Sequence, residues 1–127
     1  MKRVKIQLTE QGIKNLETIE RELQNRFQSR LIVPELEVLE LHGEVTQAHL
    51  IRRAIWASLQ DHSYAVDEDL LFGKYVKTTT VLIPVWVIER VQETYQYQSR
   101  MRNISCSEMI NRCIDYGLYR FYKDQIA

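Results

Sequence analysis

The side chains able to do covalent or metal chemistry are scattered along this chain, whereas those suited to gripping a polyanion are gathered. Cys106 and Cys113 stand seven residues apart, so on a helix they share a face at a distance of about 10 Å. That is too far for a disulfide and fits a reducing, cytoplasmic setting. His42, His49 and His62 pair neither with each other nor with the cysteines at ligand spacing, and no metal site is expected. Asp67-Glu68-Asp69 lacks the ligand periodicity of a calcium loop and reads as a solvated connector. Without a nucleophile–base pair, a Gly-rich phosphate loop or a catalytic carboxylate pair, the sequence implies neither an enzyme nor a cofactor nor a small-molecule ligand. By contrast, Lys2, Arg3, Lys5, Lys74 and Lys77 fall within residues 2–8 and 74–83, which contain no acid. The hydrogen-bonding side chains of Gln7, Thr78 and Thr80 sit among them.

The whole chain of 127 residues carries 17 basic and 17 acidic side chains, so net charge is uninformative and distribution decides. Outside those two segments, twelve basic residues face seventeen acidic ones. The chain is therefore polarised, with its positive charge on two short stretches. The competing explanation for such lysines is the blunting of edge strands against aggregation. A hydrophobic content of 45% with 27% charge is that of a globular protein, and four Gly with two Pro favour helices over a loop-rich β fold. The longest apolar runs, Leu31-Ile32-Val33 and Val81-Leu82-Ile83, are far short of the roughly 20 residues that span a bilayer. Met1-Lys2-Arg3 leads into alternating residues rather than an apolar leader, so a cytoplasmic location is expected.

The elements that position these residues follow from periodicity. Val4, Ile6 and Leu8 alternate with Arg3, Lys5 and Gln7, which is the period of a half-buried strand. Thr9 is placed as a helix cap, and Ile13, Leu16, Ile19, Leu23 and Phe27 form the apolar stripe of a helix over about residues 10–28. A second helix follows Thr46, with Leu50, Ile51, Ala54, Ile55 and Leu59 inward. The order then recurs. Residues 77–83 are β-branched and strand-like, and Pro84 suits the first turn of a helix with apolar Trp86, Val87, Ile88, Val91 and Tyr95. Ser105 caps a final helix with Ile110, Cys113, Ile114, Leu118 and Phe121 inward. Tyr116, Tyr119 and Tyr122 read as packing residues, and His49 as a solvated one.

Strand-helix-helix thus occurs twice. Residues 45–55 align without gaps on 104–114 at an offset of 59, with Ile51/Ile110, Arg53/Arg112 and Ile55/Ile114 identical. The strands align at an offset of 75, as Ile6/Val81 and Leu8/Ile83. Two amphipathic helices with hydroxyl caps can look alike by composition alone, but the alternating strand ahead of each speaks for a repeat. The implied organisation is a first unit at 1–60 with an insertion at about 29–44, a connector at 61–73, and a second unit at 74–127, together one folded domain. Leu31, Ile32, Val33, Leu36, Val38, Leu39 and Leu41 are too apolar for a solvated loop; they either roof the fold's own core or join two chains, and a homodimer through residues 31–43 is the favoured expectation.

A short alternating strand followed by a helix, a turn and a helix opening V-S-R-S-E-L-I-R-E-A-L is the pattern of ribbon-helix-helix DNA-binding proteins, the family of the Arc and methionine repressors. Val45 to Ile55 and Ile104 to Ile114 resemble that second helix. The chain resembles the rarer single-chain tandem form, as in an accessory protein of conjugative-plasmid relaxosomes. The resemblance implies a mainly α fold with a two-stranded antiparallel β-ribbon, an intramolecular pseudo-dimer in which residues 3–8 pair with 78–83. It implies sequence-specific binding of double-stranded DNA by the ribbon in the major groove, as a transcriptional repressor or a plasmid-maintenance or transfer accessory protein. Base readers would be Arg3, Lys5, Gln7, Thr78, Thr80 and Leu82, the last against a thymine methyl or as interface. Phosphate contacts would be Lys2 and Lys77 with the helix starts at Thr46-Gln47 and Ser105-Cys106. An antitoxin role is disfavoured by the short stretch after Phe121. The alternative is a protein-interaction or assembly module on the same scaffold, to which zero net charge, apolar Leu82 and the apolar insertion point.

Overall fold

Alternation of apolar and polar residues in two distant segments produces two strands that need each other, since each has an open hydrogen-bonding edge. The computed structural model describes residues 1–24, 46–60, 73–96 and 103–126. The proposed insertion at 29–44, the dimer contact through 31–43 and nearly all of the 61–73 connector lie outside the described residues. In chain order the elements are β1 (Lys2–Thr9), α1 (Glu10–Gln24), α2 (Gln47–Gln60), β2 (Tyr75–Ile83), α3 (Val85–Thr94) and α4 (Cys106–Phe121), ending in a π-helical turn at Tyr122–Ile126. The fold is mainly helical with one two-stranded antiparallel ribbon, β1 beside β2.

Ile6, Leu8, Val81 and Ile83 on the inner face of the ribbon are buried, with Val4 and Thr79 half-buried beside them. Helices α1, α2 and α4 cover that face, α2 packing on α4 and also reaching α1, α3 and β2. Leu16 and Ile19 enter the core from α1, Leu50, Ile51, Ala54 and Ile55 from α2, Val87 and Val91 from α3, and Met109, Ile110, Cys113, Ile114 and Leu118 from α4. Among the described residues no helix is long and apolar enough to cross a membrane.

Local chemistry sets the helix starts. The Thr9 hydroxyl accepts the Gly12 backbone N–H (2.9 Å), Thr46 accepts that of His49 (3.1 Å) and Ser105 that of Glu108 (3.1 Å). Each satisfies a donor that the helix itself cannot pair. Pro84 sits at the cap of α3, one place earlier than its expected first-turn position, and its carbonyl accepts from Val87 and Ile88. Lacking an N–H, proline leaves one fewer orphan donor there. Asn103 precedes α4 in the left-handed region at φ 54°, which asparagine tolerates.

Three side chains depart from expectation. Trp86 is 38% exposed, because Val87, Val91 and Tyr95 at four-residue spacing take the inner line of α3 and Trp86 stands about 100° away from it. Its ring instead meets Trp56 edge to face, centroids 5.6 Å apart. His49 is buried rather than solvated, because α2 is packed on several sides and its buried sector is wide. Phe121 is half-buried, as are Tyr116, Tyr119 and Tyr122. The described part of α1 ends at Gln24, so the expected packing of Leu23 and Phe27 lies outside the described residues.

Candidate nucleic-acid interface

Pleating turns the remaining strand positions outward. Arg3, Lys5, Gln7, Thr78 and Thr80 are exposed, and Leu82 is 41% exposed. The ladder pairs Arg3 with Leu82, Lys5 with Thr80 and Gln7 with Thr78, so all six expected base readers share one face. Neither strand carries an acid. Lys2 and Lys77, both exposed, pair with Ile83 and Leu8 and so stand at opposite ends of the ribbon.

The helix starts expected to touch phosphates are also placed. Thr46 and Ser105 are exposed, Gln47 and Cys106 half-buried, and both hydroxyls are occupied as caps. The start of α4 adjoins the basic strand: a cleft of about 300 Å³ is bounded by Lys2, Lys5, Gln92, Cys106 and Ser107, among others. Lys2 and Lys5 thus bring two ammonium groups to the N-terminal end of α4, whose first turn also carries Glu108.

Polar residues inside the apolar stripes of α2 and α4, which carry no periodic signal of their own, hold the ribbon to the helices. The side-chain carbonyl of Asn111 on α4 accepts the backbone N–H of Gln7 (2.9 Å), and Arg52 Nη1 on α2 donates to the backbone carbonyl of Leu82 (3.0 Å). Both anchors are buried. Asn111 lies 59 residues after Arg52, and Leu82 lies 75 after Gln7, so the two contacts are related by the same two sequence offsets as the helices and strands. Their signal is one of position, a polar residue at the same place inside the apolar stripe of each second helix. Buried Asp115 accepts the Thr9 hydroxyl (2.6 Å), closing the β1–α1 corner. At the same end of the ribbon, where Tyr75 of β2 faces Thr9, its phenol donates to Glu108 (2.8 Å), which also receives Arg112 Nε at 3.2 Å. Burial, and then that bond to Glu108, pushes the Tyr75 phenol up, so it stays protonated and able to donate.

The helix crossing behind the ribbon is close. A Cβ added to Gly117 would meet the backbone of Ala54, its Cα at 2.8 Å and its carbonyl nearer still. At the corresponding crossing, shifted by 59 residues, Cys113 lies in hydrogen-bonding contact with Ser58. Burial pushes that thiol up to about 12. Comparison with family models, curated proteins and solved structures finds no match to this chain.

Proposed function

We propose that this chain is a tandem ribbon-helix-helix protein that binds double-stranded DNA sequence-specifically, with its β-ribbon in the major groove, as a transcriptional repressor or an accessory factor in plasmid maintenance or transfer. The observation that carries the reading is the outward ribbon face, where cations and hydrogen-bonding side chains stand exposed on two strands without an acid. A two-stranded ribbon matches a major groove about 12 Å wide. Arg3 or Lys5 is suited to guanine acceptors, Gln7 to the donor–acceptor edge of adenine, Thr78 and Thr80 to either, and Leu82 to a thymine methyl. Lys2 and Lys77, with the starts of α2 and α4, would hold the flanking phosphates.

The tandem part of the reading is supported by contacts that recur at both offsets. Thr9 and Pro84 cap α1 and α3 at an offset of 75, and Thr46 and Ser105 cap α2 and α4 at 59. The Asn111–Gln7 and Arg52–Leu82 anchors, and the Gly117–Ala54 and Ser58–Cys113 crossings, obey the same pair of shifts. An intramolecular pseudo-dimer accounts for all of these at once.

Anisotropy titration of random-sequence duplexes across a salt series tests the reading. The full chain should bind at low salt with a steep salt dependence, and Lys2→Ala and Lys77→Ala should each weaken all sequences alike and lower the slope by about one. Absence of duplex binding at low salt refutes it. Exposed Leu82, Val85 and Trp86 beside Trp56 favour a second reading, a protein-interaction module without DNA binding, which that negative result would support.

A further inference from the structure

The ladder register groups the outward side chains by the ends of the ribbon as well as by strand. At the offset of 75, position 3 corresponds to 78, 5 to 80 and 7 to 82, and Lys5 faces its own counterpart Thr80 across the ladder. The centre of the ribbon therefore lies at Lys5 and Thr80. One end carries Arg3 opposite Leu82, the other Gln7 opposite Thr78. Two identical strands would put the same pair at both ends. Here one end offers a guanidinium beside an aliphatic side chain, and the other an amide beside a hydroxyl.

Of the groups suited to a phosphate backbone, the lysines and the hydroxyl caps have not diverged in this way, although Gln47 corresponds to Cys106. Lys2 corresponds to Lys77, and the hydroxyl cap Thr46 to Ser105. Within the ribbon, the inward pairs Ile6/Val81 and Leu8/Ile83 stay apolar, whereas the outward pairs Arg3/Thr78, Lys5/Thr80 and Gln7/Leu82 differ in kind, at exposed positions that contribute least to the core. Packing does not require that difference.

We propose that the chain recognises a non-palindromic duplex in one orientation, with a guanine adjoining a thymine under the Arg3–Leu82 end and an adenine under the Gln7–Thr78 end. The proposal rests on the DNA-reading ribbon described above. Arginine pairs in bidentate fashion with O6 and N7 of guanine, glutamine with N6 and N7 of adenine, and an aliphatic side chain packs on the thymine C5-methyl. Facing pairs on a ladder are about 5 Å apart, so each end addresses neighbouring bases. Because the groups differ in kind, neither end can serve the other's half-site equally well.

Selection of bound duplexes from a random library by the full chain reads this directly. It is followed by titration of the enriched duplex and of two palindromes made by doubling each of its halves. The enriched motif should lack dyad symmetry, and each palindrome should bind more weakly by roughly 5- to 150-fold. Replacing the thymine under the Arg3–Leu82 end with uracil removes one methyl group and should cost about fourfold, a loss that Leu82→Ala should erase. Enrichment of a palindrome, palindromes that bind as tightly as the selected duplex, or indifference to uracil overturns the proposal and leaves DNA binding intact. Failure to bind any duplex at low salt overturns both. The triple variant Thr78→Arg, Thr80→Lys, Leu82→Gln makes the outward residues of the two strands identical, and thermal melting checks its fold. It should enrich a palindrome, and persistence of an asymmetric motif would also overturn the proposal.

Discussion

Replacing Gly117 with alanine places a methyl group where α4 crosses α2. Its Cβ would lie 2.6 Å from the Ala54 carbonyl carbon and 2.8 Å from the Ala54 Cα. These are backbone atoms in the middle of a helix, so no side-chain rotation relieves the overlap and the helices must separate. Alanine would gain up to about 1 kcal/mol over glycine in helix propensity, while an overpacked core of this kind costs about 1–3 kcal/mol and more when backbone must shift. The net expectation is a loss of about 1–2 kcal/mol, read as a fall of several degrees in the melting temperature followed by circular dichroism. Gly12 provides the comparison. A Cβ there would meet Asp115 Oδ1 at 2.8 Å, the end of a side chain, so Gly12→Ala should cost less, unless rotation of Asp115 breaks its bond to Thr9. A Gly117→Ala variant as stable as the parent chain would refute the assigned helix spacing. The same separation moves the starts of α2 and α4 relative to the ribbon, so duplex affinity should fall with stability.

Asn111→Ala leaves the buried-side N–H of Gln7 unpaired and should cost about 1–3 kcal/mol, measured by urea unfolding; Asn111→Asp, which keeps the acceptor, should cost less. The Cys113 thiol rises from 9.0 to about 12 through burial, so the folded state favours its neutral form. That contribution is complete below pH 9 and is lost as pH climbs toward 12, at up to about 1.4 kcal/mol per pH unit; Cys113→Ala should flatten the alkaline limb of a stability–pH profile. A fragment of residues 1–60 contains β1 without β2 and α2 without α4, and should show no cooperative melting transition; a monomeric, cooperatively unfolding fragment would count against the shared core.

Local pattern made part of this molecule legible. The strands declare themselves because period-two alternation has no helical equivalent, and Thr9, Thr46 and Ser105 mark helix starts because a hydroxyl there answers an orphan N–H. The six outward residues follow from the same alternation. What depends on contacts between distant segments was not legible. Trp86 is apolar and adjacent to an inward line, and only the packing of α3 shows that it lies outside it. His49, Arg52 and Asn111 are polar residues on apolar helices, and their burial follows from the number of neighbours around α2 and α4. Gly117 gave no signal at all, since a close helix crossing leaves no periodicity. Register belongs to this second group: alternation assigns faces, but only the pairing of Lys5 with Thr80 shows which outward residues stand together.

On the tandem reading proposed above, the two units provide a control for what each residue does. Where both copies must perform one structural task, they do it with different chemistry if the surroundings allow. At the β1–α1 corner Asp115 of α4 receives the Thr9 hydroxyl, while at the β2–α3 corner Trp56, the residue corresponding to Asp115, packs on Trp86. A hydrogen bond and an aromatic contact thus close equivalent corners. Beside the Trp56–Trp86 contact, Leu82, Val85 and Trp86 are exposed apolar residues where the other corner has exposed Gln7, Glu10 and Gln11. Corner closure therefore does not demand apolar character at that end. On the reading proposed above, Leu82 belongs to the base-reading set and the tryptophans brace the turn behind it. Trp86→Ala should then weaken the preference for thymine over uracil under Leu82 while leaving the salt dependence of duplex binding unchanged. A variant that keeps the thymine preference in full would detach the aromatic pair from recognition and assign it to the fold alone.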